Sequence, residues 1–213
     1  MASATWGQTR IDLNLVLAID CSQSVDDEEF ALQIQGTALA FRSPEILEAI
    51  SAGAFATISV SVIQWSGENS QIVTVPWRLV RDADSARALA DEIAGQRRLR
   101  SDGATSISSL ISFGADYLAR SPHKASRNVI DIAADGANNS GSRVDLARDS
   151  AISKGIVVNG LAILNELQYL DYYFRKQVVG GIGAFVIVAR DYLDFERAIR
   201  KKLLREIRAD FLF

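Results

Sequence analysis

Leu13 to Ile19 is an almost unbroken apolar run that ends in Asp20-Cys21-Ser22, which predicts a short strand buried on both faces and closed by a polar loop. From Asp26 the period lengthens. Phe30, Ile34, Ala38 and Phe41 recur at helical spacing behind the acidic turn Asp26-Asp27-Glu28-Glu29, and Pro44 marks a break. Residues 55–65 alternate Ile58, Val60 and Val62 against Thr57, Ser59 and Ser61. Ser66-Gly67-Glu68-Asn69 then turns into a second run from Gln71 to Val75, and a connection that short joins antiparallel neighbours. A helix follows on Ala86, Leu89, Ala90 and Ile93, then a polar loop over 95–104. Another helix begins near Thr105 with Ile107, Leu110, Ile111, Gly114 and Leu118 on one face.

The second half repeats the alternation. Strands are predicted over 128–134, 156–164 and 184–189, with helices over 144–154, 170–178 and 193–208. Six strands interleaved with helices call for a doubly wound α/β fold. Its sheet is mainly parallel, with one antiparallel edge strand and helices on both faces. Neither a repeat nor a linker divides the chain, so a single domain over 11–213 behind a flexible segment of residues 1–10 is expected.

Composition narrows the chemistry. Lys and Arg total 23 against 26 Asp and Glu, a formal net charge of −3, which argues against nucleic acid as partner. One cysteine, Cys21, closes no internal disulfide, and one histidine, His123, builds no multi-histidine metal centre. No apolar stretch reaches the roughly 18 residues of a membrane helix, so no membrane insertion is expected. Met1 to Trp6 holds no complete export signal, although Ala2-Ser3-Ala4 resembles the small-residue pattern before a cleavage site. Gly180-Gly181-Ile182-Gly183 precedes a strand instead of following one and lacks the third glycine of a dinucleotide loop. Lys201, Lys202 and Arg205 read as the wet side of a closing helix whose Phe195, Ile199 and Leu203 face the core.

In open α/β sheets, ligands bind beyond the carboxyl ends of the strands, where the strand order reverses. A sheet order of 3-2-1-4-5-6 puts strands one and four side by side at that reversal. Asp20-Cys21-Ser22-Gln23-Ser24 after strand one, Thr105 at the next helix start and Asp135 after strand four would then share one crevice. Carboxylates and hydroxyls are ligands for a hard divalent cation. With mostly neutral ligands the ion stays electrophilic, and an open position invites a carboxylate from another protein.

Asp20, Ser22, Ser24, Thr105 and Asp135 resemble, in residue and order, the metal-ion-dependent adhesion site of von Willebrand factor A domains. The antiparallel third strand fits that fold as well. Gln64-Trp65-Ser66-Gly67, the segment Val158 to Ile163 and the tail Lys201 to Ile207 resemble an uncharacterised bacterial family of small, often exported A-domain proteins. One departure is Ala134, where that family has glycine. The resemblance implies Mg²⁺, with Mn²⁺ or Ca²⁺ as alternatives. It also implies a non-enzymatic module that docks a protein or peptide through an Asp or Glu carboxylate, and an extracytoplasmic setting.

Simpler readings stand beside these. Ser24 equally suits a helix cap, with Asp27 three residues on, as does Asp26 with Glu29; Thr105 also opens a helix. Asn138 and Asn139 either orient Asp135 from behind or tolerate a left-handed turn. Arg97, Arg98 and Arg100 either draw an acidic partner or form a solvated charge run. Tyr169, Tyr172, Tyr173 and Phe174 are either an aromatic contact rim, Tyr172 foremost, or helix packing. His123 is assigned no role. Two other functions compete: an assembly adaptor whose ion only orders the loops, and a metal-dependent phosphohydrolase with Asp20 as nucleophile. The second lacks the usual acid/base Asp two residues on, where Ser22 stands.

Overall fold

The computed structural model describes residues 10–99 and 103–208. The six strands are β1 (Arg10–Asp20), β2 (Ile58–Trp65), β3 (Gln71–Val80), β4 (Lys124–Ala134), β5 (Ile156–Ile163) and β6 (Val186–Ala189). They form one sheet of order β3-β2-β1-β4-β5-β6, parallel except for the β2/β3 hairpin. The doubly wound fold expected from the alternation is therefore present. The order reverses between β1 and β4, at the pair that carries Asp20 and Asp135. Apart from Arg10, which begins β1, the segment 1–10 lies outside the described residues.

Side-chain alternation explains the apolar run of β1. Leu13, Leu15, Leu17 and Ile19 join a core beneath α1 (Asp27–Arg42), α2 (Pro44–Ser51), α3 (Ala83–Ala94) and α7 (Phe195–Arg208). Val16 and Ala18 join a second core beneath α4 (Ile107–Ala119), α5 (Val144–Ser153) and α6 (Leu170–Tyr173), which runs on into a π-helical segment, Phe174–Val178. A strand covered on both faces needs apolar residues at every position.

Three departures from the sequence reading have physical causes. Pro44 starts α2 instead of only ending α1, because proline suits the first helical position, where its missing N–H has no partner to lose. β3 continues through Pro76 to Val80, which an edge strand tolerates; the pairing shifts register near Val62, opposite this stretch. Lys202 is not on the wet side of α7. It is fully buried, paired with Asp131 of β4 and with Glu206 at 3.2 Å, while Asn159 of β5 donates to Glu206 at 2.8 Å.

Gly160 of β5 marks a close approach. A Cβ there would run into the fully buried Phe174 ring, with its Cε1 at 2.9 Å, and stand 3.2 Å from Val179. Gly160→Ala is expected to cost about 1–3 kcal/mol by overpacking, read as a lower guanidinium midpoint with an unchanged slope.

Candidate metal centre

Asp20 ends β1 with its side chain buried. Its Oδ1 accepts the Ser22 backbone N–H at 2.8 Å, and its Oδ2 is buried with no hydrogen-bond partner. Burial, reinforced by the nearby Asp135 carboxylate, pushes the Asp20 carboxyl up to about 7. Ser24 donates its hydroxyl proton to Asp135 Oδ1 at 2.8 Å. A serine has one such proton, so the 3.2 Å contact between the two hydroxyls runs from Ser22 to Ser24. Asp20, Ser22, Ser24 and Asp135 thus form one cluster. Thr105, nearly buried, lines with Ser24 a cavity of about 540 Å³ that also touches Gln23, Asn139, Glu166 and Leu167.

Neither serine nor threonine is used as a cap. Asp26 caps α1, accepting the Glu29 N–H while the Glu29 carboxylate accepts the Asp26 N–H. Ser106, not Thr105, precedes α4, and it makes no side-chain cap bond. The hydroxyls at 24 and 105 are therefore left to the crevice.

The loops are held by groups around the cluster. Asn139 Oδ1 accepts the Thr105 N–H at 2.8 Å and Asn139 N–H returns a bond to the Thr105 carbonyl at 2.9 Å. Asn138 Oδ1 accepts from Ser108 N–H at 3.1 Å, and its side-chain amide donates to the Ser140 carbonyl at 2.9 Å. Neither asparagine has a positive φ, so the left-handed turn reading is corrected: both fasten the Asp135 loop to the start of α4. Arg98 is not part of a solvated run. Its guanidinium donates to the Ser22 carbonyl at 2.8 Å and to Asp27 at 3.1 Å. Arg97 is exposed and lines a hollow beside α1, and Arg100 lies outside the described residues.

The aromatic cluster divides. Phe174 is core, and Tyr173 accepts the Asn138 N–H at 3.3 Å. Tyr172 is exposed, with the Lys176 ammonium 5.8 Å from its ring centroid, and is not in the cavity wall. Tyr192 was missed from sequence. It follows β6, is buried, and donates to Asp135 Oδ2 at 3.0 Å, so both oxygens of Asp135 are oriented. Its only sequence signal is a place in a loop at the carboxyl end of a strand, two strands from the reversal.

Among the described residues no three His, Cys, Asp or Glu side chains gather as a metal centre. An ion here would rely on two carboxylates and neighbouring hydroxyls. The donor set fits a hard dication: all its atoms are oxygen, and one buried carboxylate oxygen awaits a partner.

The comparisons agree with this fold. The sequence profile of a family described as "Protein of unknown function (DUF1194)" matches residues 10–211. No curated protein matches the chain. Among solved structures, the von Willebrand factor type A protein from Catenulispora acidiphila is similar, with a TM-score of 0.65 at 17% identity over 92% of this chain and 43% of that one. Proximal thread matrix protein 1 from the mussel byssus gives 0.67 at 13% identity over 94% and 49%. The same byssus protein, with a zinc-occupied MIDAS motif, gives 0.64 at 12% identity over 94% and 49%. This chain spans less than half the length of each, and identities this low bear on the fold, which is that of a von Willebrand factor A domain.

Proposed function

We propose that this chain, which belongs to the DUF1194 family of proteins of unknown function, is a non-enzymatic protein-binding module. In this reading Asp20, Ser22, Ser24, Thr105 and Asp135 hold a hard divalent cation, Mg²⁺ with Mn²⁺ or Ca²⁺ as alternatives that suit the same oxygen ligands, and the cation accepts an Asp or Glu carboxylate from a partner protein or peptide. The observation that carries it is the buried, unpartnered Asp20 Oδ2 beside a hydroxyl chain leading to Asp135. A zinc-occupied MIDAS in the similar byssus protein supports a dication in this fold. A pilus adhesin from Lactobacillus rhamnosus GG also shares the fold, which supports protein partners and an extracytoplasmic setting. No helix among the described residues is long and apolar enough to cross a membrane.

The adaptor reading, in which the ion only orders the loops, has less support. Asn138, Asn139 and Arg98 already fasten those loops through protein hydrogen bonds. The ion is then free to act on a partner.

Water-proton relaxation with Mn²⁺ tests the proposal. A bound Mn²⁺ that keeps exchangeable water should enhance relaxation, Mg²⁺ should compete the enhancement away, and excess acetate should quench it by replacing that water. No enhancement at millimolar Mn²⁺ would refute ion binding, and enhancement indifferent to acetate would refute the vacant position.

A further inference from the structure

The outer face of α7 carries more positive charge than the fold pairs. Arg197, Arg200, Lys201, Arg205 and Arg208 wall a surface groove of about 590 Å³, opposed among the described residues by one carboxylate, Glu45 of α2. This surplus sits on a chain of net charge −3. The helix dipole accounts for Arg205 and Arg208, which lie in the last turn. Asp194 neutralises Arg197 at 2.6 Å, and the Arg205 guanidinium also rests over Phe185, 4.2 Å from the ring centroid. Arg200 and Lys201 have no such account. Both are exposed and, among the described residues, neither they nor Arg208 make an ion pair. Lys201 stands four residues from both Arg197 and Arg205, spacings at which like charges oppose the helix. A local cost without a local gain is the mark of a functional surface.

We propose that this groove is a second docking surface, independent of the candidate metal centre, for an extended acidic peptide segment of a partner protein. The cations from Arg197 to Arg208 span about 16 Å along the helix. An extended chain covers that distance in about five residues, with side chains alternating toward the groove.

Other anionic partners fit less well. Phe195, Ile199, Leu203 and Ile207 of α7 are buried in the core, and Leu204, the apolar side chain that reaches the groove, is half-buried against that core, so the exposed face offers little to insert into a lipid layer. Among the described residues no aromatic ring lines the groove for base stacking. Glu45 among the cations calls for a ligand with N–H donors beside its carboxylates, which a peptide has and a phosphodiester backbone lacks.

The test is fluorescence anisotropy with a fluorescein-labelled peptide of alternating Gly and Glu, with EDTA present so that no cation bridge contributes. Saturable binding is expected, weakening with added NaCl and falling at least tenfold in the double variant Arg200→Glu/Lys201→Glu. Asp20→Ala should leave it unchanged, which separates this surface from the metal centre. Both changed side chains are exposed, so circular dichroism and thermal midpoint should match the parent chain. Absence of peptide binding, or binding indifferent to the double variant, would overturn the proposal. So would tighter binding to phosphatidylserine-containing vesicles or to an oligo-dT strand than to the peptide.

Discussion

Lys202→Ala is expected to destabilise the fold by about 3–5 kcal/mol, the usual cost of removing one member of a buried ion pair. The ammonium is fully buried between Asp131 and Glu206, and each of those carboxylates already has one buried oxygen without a partner. Without the lysine, two carboxylates face each other in the core. Neutralising the whole group, as Asp131→Asn/Lys202→Met/Glu206→Gln, should recover most of the loss, because the cost lies in uncompensated charge more than in volume.

The pH dependence has a definite sign. Burial, then the Glu206 charge, raises the Asp131 carboxyl well above its ordinary value, and Lys202 counters this. Between the ordinary value and the raised one, the folded chain binds more protons than the unfolded chain. This group's contribution therefore makes stability fall as pH rises through that window. Removing Lys202 deepens the fall, so the deficit of Lys202→Ala should be smaller in acid than at neutral pH. Urea unfolding at several pH values measures it, and a deficit that does not vary with pH would refute the account.

Asp20→Ala should leave the metal-free fold intact while abolishing its response to Mg²⁺. An ion at about a hundredfold its dissociation constant adds about 2.7 kcal/mol, which for a chain of this size is a thermal shift of about 5–10 °C. The parent chain should show that shift and the variant none. In the absence of ion the variant should stay close to the parent in stability, because alanine removes a buried carboxylate oxygen that has no partner, which offsets the loss of the Oδ1 acceptor for the Ser22 N–H. A full Mg²⁺ shift in the variant would remove Asp20 from the ligand set.

Much of the molecule was legible in the sequence, and the exceptions are instructive. The β1 run and the change of period after Asp26 revealed the strands and helices, and the short hairpin revealed the antiparallel edge. The sheet order then brought Asp20 and Asp135 together. Ser24 was ambiguous because capping and coordination use the same residue types, and only the geometry showed that Asp26 does the capping. Lys202 was misread because its charge was weighed above its position. The buried stripe of α7 runs through Phe195, Ile199, Lys202, Leu203 and Glu206, so the helical period itself placed Lys202 inward. Its partner Asp131, and Asn159, which donates to Glu206, were visible as polar interruptions in otherwise apolar strands. Tyr192 left no periodic trace, since a single long side chain reaching across a loop obeys no pattern.

Both margins of the sheet are poor templates for a seventh strand. On one side Pro76 offers no amide hydrogen, and the pairing nearby is already out of register. On the other, β6 is only four residues long. Chains of this kind are thus guarded against edge-to-edge polymerisation, and a partner that extends the sheet by backbone pairing is disfavoured. Recognition falls to side chains on loops and helix faces.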